Sequence, residues 1–297
     1  MRRGHQAPIA IGRGRGPSVF AVYQSRLEHS HYNCSLLTDS QRDRILIVLV
    51  SPRNPLNIGA AARAMANFGF SHLSVVAPYE AHWREAQSAI GAESLLQNAK
   101  MTESLAEAIA DCTLVIGTGT LTRRKAEQPV IPLPELGERV CSELARGARI
   151  ALVFGSEKRG LTRDDLSYCH LLAVIPTDSA QPSMNLGQAV AVCLYALAAQ
   201  GETHPSDKNN DVARVGHPEL AGKTTAAAQP IPATSADLDR LAVVIEDMML
   251  AAGYSPDEMQ AANRHDLRLL LRRLQLNQSD LRRTLGLFRR ALHKMKK

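Results

Sequence analysis

Residues 149–176 read RIALVFGSEKRGLTRDDLSYCHLLAVIP, and their pattern decides the fold. After Arg149 the run IALVF has no polar break, so a strand there has both faces buried rather than one face wet. Gly155 and Gly160 bracket a charged loop, Thr162 stands where an N-cap belongs, and a short helix is expected over 163–168. LLAVIP at 171–176 is a second strand of the same kind. On either side, RILIVLV at 44–50, HLSVVAP at 72–78 and TLVIGT at 113–118 repeat the signature. Stretches rich in Ala, Leu and Glu alternate with these runs and predict helices near 57–68, 83–98, 104–111, 134–146 and 186–200. Ser104 followed by Glu107 has capping-box spacing. The whole predicts an α/β fold over 44–200, a parallel sheet with helices on both faces.

Outside 44–200 the composition changes. Residues 1–43 lack periodicity and include the Gly/Arg alternation from Gly12 to Gly16, which predicts a disordered basic arm. Gly, Pro, Ser, Thr, Asn and Asp fill 201–234, with Pro205, Pro218, Pro230 and Pro232, the composition of a linker. From 235 onward, SADLDRLAVVIEDMMLAAGY sets Leu238, Leu241, Val244, Ile245, Met248 and Met249 at three- and four-residue spacing. Two further helical stretches follow, at about 264–275 and 279–295, so 235–297 reads as a small, basic helical extension.

The formal charge of +6 is unevenly placed: +4 over 1–44, −7 over 45–263 and +9 over 264–297. Basic ends of this kind are either solvated faces or attractors of phosphate backbones, in which case affinity falls as salt rises. No apolar run near the front approaches the roughly 20 residues of a membrane span, and arginines interrupt any secretory leader. Five cysteines, odd in number and widely spaced without a C-x-x-C pair, point to buried or free thiols in a reducing cytoplasm. No spacing of His, Cys or acidic residues suggests a metal.

In open parallel sheets, functional groups gather at the carboxyl ends of strands. The first such end is SPRNPLNIGAAARAMANFGF at 51–70, where Asn57 is expected to cap a helix with a thin alanine face and Gly69 to end it. Arg63 follows Asn57 by roughly 1.7 helical turns, so the two do not share a face. On spacing alone, Arg63 is an ordinary surface arginine. IGTGTLT at 116–122 lacks the third glycine of a dinucleotide fingerprint, and GSEKRGLT at 155–162 lacks the Lys-Ser/Thr of a P-loop. In IPTDSAQPSMNLGQAVAVCLYALAA at 175–199, Ser183 and Asn185 stand at a helix start, as caps or as groups offered to a ligand.

NIGAAARAM at 57–65, LVFGSEKRGLT at 152–162 and IPTDSAQPSMNLGQAVAV at 175–192, in that order and spacing, resemble the three motifs of the SpoU (TrmH-type) branch of the SPOUT methyltransferases. The resemblance covers about 45–200, and CTLVIGTGTLTRRK and LTRDDLSYCHLLAVIP look most like the branch members that methylate tRNA ribose in the anticodon loop, at nucleotide 32. It implies a carboxyl-terminal trefoil knot, which no periodicity predicts because knots are excluded by default. It implies S-adenosyl-L-methionine as cofactor, held at Thr118, Gly119, Thr120, Gly155, Ile175, Pro182, Ser183 and Met184. By the same resemblance Arg63, Asn57, Glu157, Ser183 and Asn185 are the catalytic set, tRNA is the substrate, and two subunits assemble the site as a homodimer. A guanidinium with a pKa above about 12 stays protonated, so Arg63 is expected to grip phosphate and stabilise a forming alkoxide rather than act as a base.

Three other readings compete. A Rossmann-type enzyme requires a glycine-rich turn straight after the first strand, and SPRNPLN has no glycine before Gly59. A non-catalytic RNA-binding protein has no need of Arg63, Ser183 and Asn185 together. A ribosomal RNA methyltransferase of the same branch differs from the tRNA reading only by analogy with the helical extension.

Overall fold

A computed structural model of the chain describes residues 37–120, 126–198 and 230–296. The described residues form seven strands: β1 (Ile45–Val50), β2 (His72–Val76), β3 (Lys100–Thr102), β4 (Leu114–Thr118), β5 (Val130–Pro132), β6 (Ile150–Phe154) and β7 (Leu171–Val174). They lie in one sheet in the order β3-β2-β1-β6-β4-β7-β5, and every pairing is parallel. Side chains alternate across the pleat. Ile45, Ile47 and Leu49 of β1, with Ile150, Leu152 and Phe154 of β6, enter one core. Val48, Val50, Ala151 and Val153 enter the other. The unbroken apolar runs of the sequence are thus two half-strands' worth of core, one for each face.

The first face is covered by α2 (Pro55–Asn67), α5 (Leu133–Ala145) and α7 (Leu186–Ala198), together with the short α3 (Glu93–Asn98). The second carries α4 (Leu105–Ala108) and the segment around α6 (Arg163–Ser167). The alanine face of α2 has the expected consequence: a Cβ on Gly187 of α7 would lie only 2.7 Å from Ala60 Cβ, so the two helices meet backbone to backbone.

Several expectations require correction. The helix expected at 83–98 is a 3-10 turn at Trp83–Glu85 followed by α3, because Gly91 takes a left-handed φ of 77° between them. β3 and β5 are three-residue edge strands that periodicity could not register. Ser104 accepts from the Glu107 amide at 3.2 Å, but Glu107 returns to the amide of Glu103, so the capping box is half made and α4 stops at Ala108. Part of the arm expected to be disordered is folded: Thr38 and Gln41 make a capping box that starts α1 (Asp39–Arg42), and Leu37 is buried in the first core. Residues 1–36 and 199–229, most of the expected arm and linker, lie outside the described residues.

The extension has its own small core of Ala233, Leu238, Leu241, Ala242, Leu267, Leu271 and Leu281. It is built from α8 (Ser235–Ala251), α9 (Gln260–Arg273) and α10 (Gln278–Met295), with Thr234 and Asn277 capping α8 and α10. Arg272 joins it to the sheet domain. Its side chain is 1% exposed, and it donates to the Tyr168 carbonyl at 2.8 Å and to Asp239 Oδ1 of α8 at 3.1 Å. Removing one member of such a pair strands the other, so Arg272→Ala should destabilise the protein by about 3 kcal/mol. Urea unfolding of the variant and the parent checks this, and a loss below about 1 kcal/mol means the joint is dispensable.

Candidate active site

β4, β6 and β7 are sheet neighbours, so the loops leaving their carboxyl ends converge. They enclose a cavity of about 890 Å³, within the range of roughly 300–1,000 Å³ usual for small-molecule sites. Its wall contains all eight residues expected at a cofactor: Thr118, Gly119 and Thr120 after β4, Gly155 after β6, and Ile175, Pro182, Ser183 and Met184 after β7. Two glycines shape it in opposite ways. A Cβ at Gly155 would lie 2.0 Å from the Gly160 carbonyl carbon, so the loop closes on bare backbone there. A Cβ at Gly119 would meet nothing within 4 Å, which leaves backbone open to a flat ligand. Thr118 turns its hydroxyl back to the Val153 carbonyl at 3.0 Å and fastens the β4 end to β6.

Asn57 meets Glu157 and Asn185, which lie 100 and 128 residues further along the chain. Asn54, not Asn57, caps α2: its side chain accepts from the Leu56 amide at 2.9 Å and Pro55 occupies the first turn. A proline that needs no N–H partner lets the helix begin there, and Asn57 is left inside the first turn with a free side chain. Its Nδ2 donates to Glu157 Oε1 at 2.7 Å, and its Oδ1 accepts from Asn185 Nδ2 at 2.8 Å. Asn185 also caps α7 by accepting from the Gly187 amide at 2.9 Å. Glu157 further accepts from the amides of Arg53 at 2.9 Å and Asn54 at 3.1 Å. Partial burial pushes the Glu157 carboxyl up, but these donors outweigh it and hold its pKa below the ordinary 4.5.

Ser183 is exposed in the wall of the cavity, whereas Arg63 is exposed on α2 and does not line it. No side-chain hydrogen bond or ion pair of Arg63 is found among the described residues. No sequence motif points to Glu127, Arg163 and His265, which also line the cavity. His265 lies 138 residues from Glu127, and no local pattern joins them. Cys112, Cys169 and Cys193 do not line the cavity, and burial, the largest influence on each, pushes them up to about 12, so they remain neutral thiols. Cys34 lies outside the described residues.

A model of the SpoU rRNA methylase family matches residues 44–195. The tRNA (cytidine/uridine/adenosine-2′-O-)-methyltransferase TrmJ of Pseudomonas aeruginosa is 40% identical over 177 residues, which span 56% of this chain and 66% of that protein. The tRNA (cytidine/uridine-2′-O-)-methyltransferase TrmJ of Pectobacterium atrosepticum is 32% identical over 246 residues, spanning 80% of this chain and 92% of that protein. Among solved structures, TrmJ from Z. mobilis has a TM-score of 0.67 at 28% identity and covers 85% of this chain and 99% of that one. Among the described residues, no helix is long and apolar enough to cross a membrane.

A carboxyl group whose folded pKa is depressed contributes stability above its unfolded pKa and loses it as pH falls through the folded value. Glu157→Gln should therefore melt below the parent at neutral pH, and the gap should close as pH drops below the ordinary 4.5. Thermal melts across pH 3–8 read this directly, and a gap that is constant across the series contradicts the role given to the ionised carboxylate.

Proposed function

Because the chain belongs to the SpoU methylase family, we propose that it is a tRNA 2′-O-methyltransferase acting at the first nucleotides of the anticodon loop, with S-adenosylmethionine as methyl donor. The observation that carries this reading is the hydrogen-bonded run Asn185–Asn57–Glu157 beside a cavity walled by three strand-end loops. The cavity fits the adenosyl group: its volume is sufficient, Gly119 offers uncovered backbone, and the Gly155 turn has room for no side chain. The TrmJ relatives carry tRNA in their names, and they are the source of the substrate class. In this reading residues 44–198 and 235–297 are a methyltransferase domain and an RNA-gripping extension. The exposed Arg282, Arg283, Arg289 and Arg290 of α10 suit a phosphate backbone.

S-adenosylmethionine supplies a methyl group on a sulfonium, and no metal is required. The protein's part is to set the 2′-oxygen in line behind that methyl and to manage its proton. Asn57 and Glu157 hold the start of α2 against the β6 loop, and Asn185 holds the β7 loop against both, so Ser183 is presented to the ribose. Arg63, always protonated, grips the substrate phosphate and stabilises the oxygen as it loses its proton to phosphate or water.

Arg63 does not line the cavity of its own chain, so the reading includes a homodimer in which one protomer's Arg63 reaches its partner's cavity. Leu56 and Tyr195, 53% and 61% exposed on the packed pair α2 and α7, are apolar surface available to such an interface. The reading also includes the trefoil knot. Its support is that β7 inserts between β4 and β5, both formed earlier in the chain, before α7 crosses back to α2.

Nucleoside mass spectrometry of RNA from cells lacking this chain should miss a ribose methyl in tRNA. A loss confined to ribosomal RNA would favour the alternative substrate, and no loss would favour a non-catalytic binder. Arg63→Ala should lower methyl transfer at least about 100-fold while leaving calorimetric S-adenosylmethionine affinity unchanged. Substantial turnover in that variant removes Arg63 from the mechanism. Light scattering should give twice the chain mass of 32.3 kDa. A monomer with full activity would exclude a shared site.

A further inference from the structure

We infer that the carboxyl-terminal extension is part of the cofactor site itself: His265 of α9, latched to Glu127, completes the cavity wall and sets its affinity for S-adenosylmethionine. This rests on the cavity's being the cofactor site and adds a wall that none of the sequence motifs supplies. His265 is 7% exposed and lines the cavity beside Ala126, Glu127 and Gln128. Its Nε2 lies 3.0 Å from Glu127 Oε2. An ionised carboxylate only accepts, so the ring nitrogen is the donor. Arg163 Nε holds the other carboxylate oxygen at 3.3 Å, and Gln128 Nε2 donates to the Leu166 carbonyl at 2.6 Å. The strip 126–128, between the β4 loop and the edge strand β5, is thus fastened to α6 on one side and to the extension on the other. The His265 hydrogen bond, the largest influence, and Arg163 together outweigh the upward push of burial and hold the Glu127 carboxyl below its ordinary range, so it faces the cavity as an anion.

α9 is fixed in register for this contact. His265, Arg268 and Arg272 fall at i, i+3 and i+7 on one helical stripe, which faces the sheet domain, while Leu267 and Leu271 turn to the extension's own core. Arg268 pairs with Asp164 at 2.8 Å and lies 4.2 Å over the Tyr168 ring. Arg272 takes the Tyr168 carbonyl. The docking seam is polar where it meets the cavity, so its hold on the wall depends on a few directed bonds rather than on a broad apolar contact. A further consequence is linkage: whatever orders the extension also orders the wall, and each ligand then favours the other by the same factor.

The test is calorimetric titration of S-adenosylhomocysteine, the stable product, into the full-length parent, His265→Ala, His265→Gln and Glu127→Gln, without RNA. His265→Ala should weaken binding about tenfold, and His265→Gln, which keeps a donor, should recover most of it. Steady-state assays should then give a raised KM for S-adenosylmethionine, with kcat near its parental value. Equal affinities in the parent and His265→Ala overturn the inference, as does a fall in kcat with KM unchanged. Should His265→Ala fail to fold, Glu127→Gln carries the test, and parental affinity in that variant overturns the inference equally. A parent that does not bind at all refutes the cofactor site, which is a different failure.

Discussion

Glu157 is the acceptor on which the site's geometry depends. Two backbone amides from the turn before α2 and the amide of Asn57 converge on one carboxylate, and Asn57 passes the constraint to Asn185 at the start of α7. Each of these segments follows a different strand. A loop with exposed backbone needs directed bonds to have one shape, and a charged acceptor makes bonds about twice as strong as neutral ones. The bare-backbone contact of Gly155 with Gly160 and Leu161 supplies the complementary constraint, by leaving the β6 loop only one way to close.

That arrangement also explains why residues as far apart in the chain as Asn57, Glu157 and Asn185 meet. The strand order puts β6 between β1 and β4, so the loop carrying Glu157 stands beside the loop after the first strand and the loop after β4 at once. A sheet ordered as in the chain would hold these loops apart. β7, on the far side of β4, brings Ser183 into the same cavity wall and Asn185 to Asn57. Close approach of α2 and α7 is the remaining requirement, and the alanines and Gly187 meet it by removing the side chains that would hold the helices apart.

The central strands and the three strand-end loops were legible because each is encoded locally. β1 and β6 are buried on both faces, and an unbroken apolar run is the only sequence that suits such a strand. Edge strands are under no such demand: Met101 of β3 and Val130 of β5 are 59% and 42% exposed, so three residues of ordinary loop composition suffice. Asn57 suits a cap by residue type and was the one expected, but Asn54 holds that place because Pro55 fixes where the helix can begin. The residues expected at a cofactor share one cavity wall because the motifs record loops, and loops are where binding sites are built. His265 and Glu127 were illegible for the opposite reason, since their meeting depends on how an added helical unit docks, which no periodicity encodes.

The charge of the extension has the same double character. The sequence counts one basic cluster, but the structure divides it by partner. Arg264, Arg268 and Arg272 are paired with Glu246, Asp164 and Asp239. Those charges are committed to folding the extension and seating it on the sheet domain, and Arg272 is too deeply buried to meet a phosphate. The exposed arginines of α10 carry no such duty in the described ion pairs, and its apolar stripe leaves them on the outer side. One helix of the extension therefore faces the cavity wall and another presents charge that is unpaired among the described ion pairs, so a polyanion on α10 would pull on the unit that α9 latches. Such a pull would reach the cavity wall through α9 rather than through the 44–200 domain, because His265 of the extension is itself part of that wall.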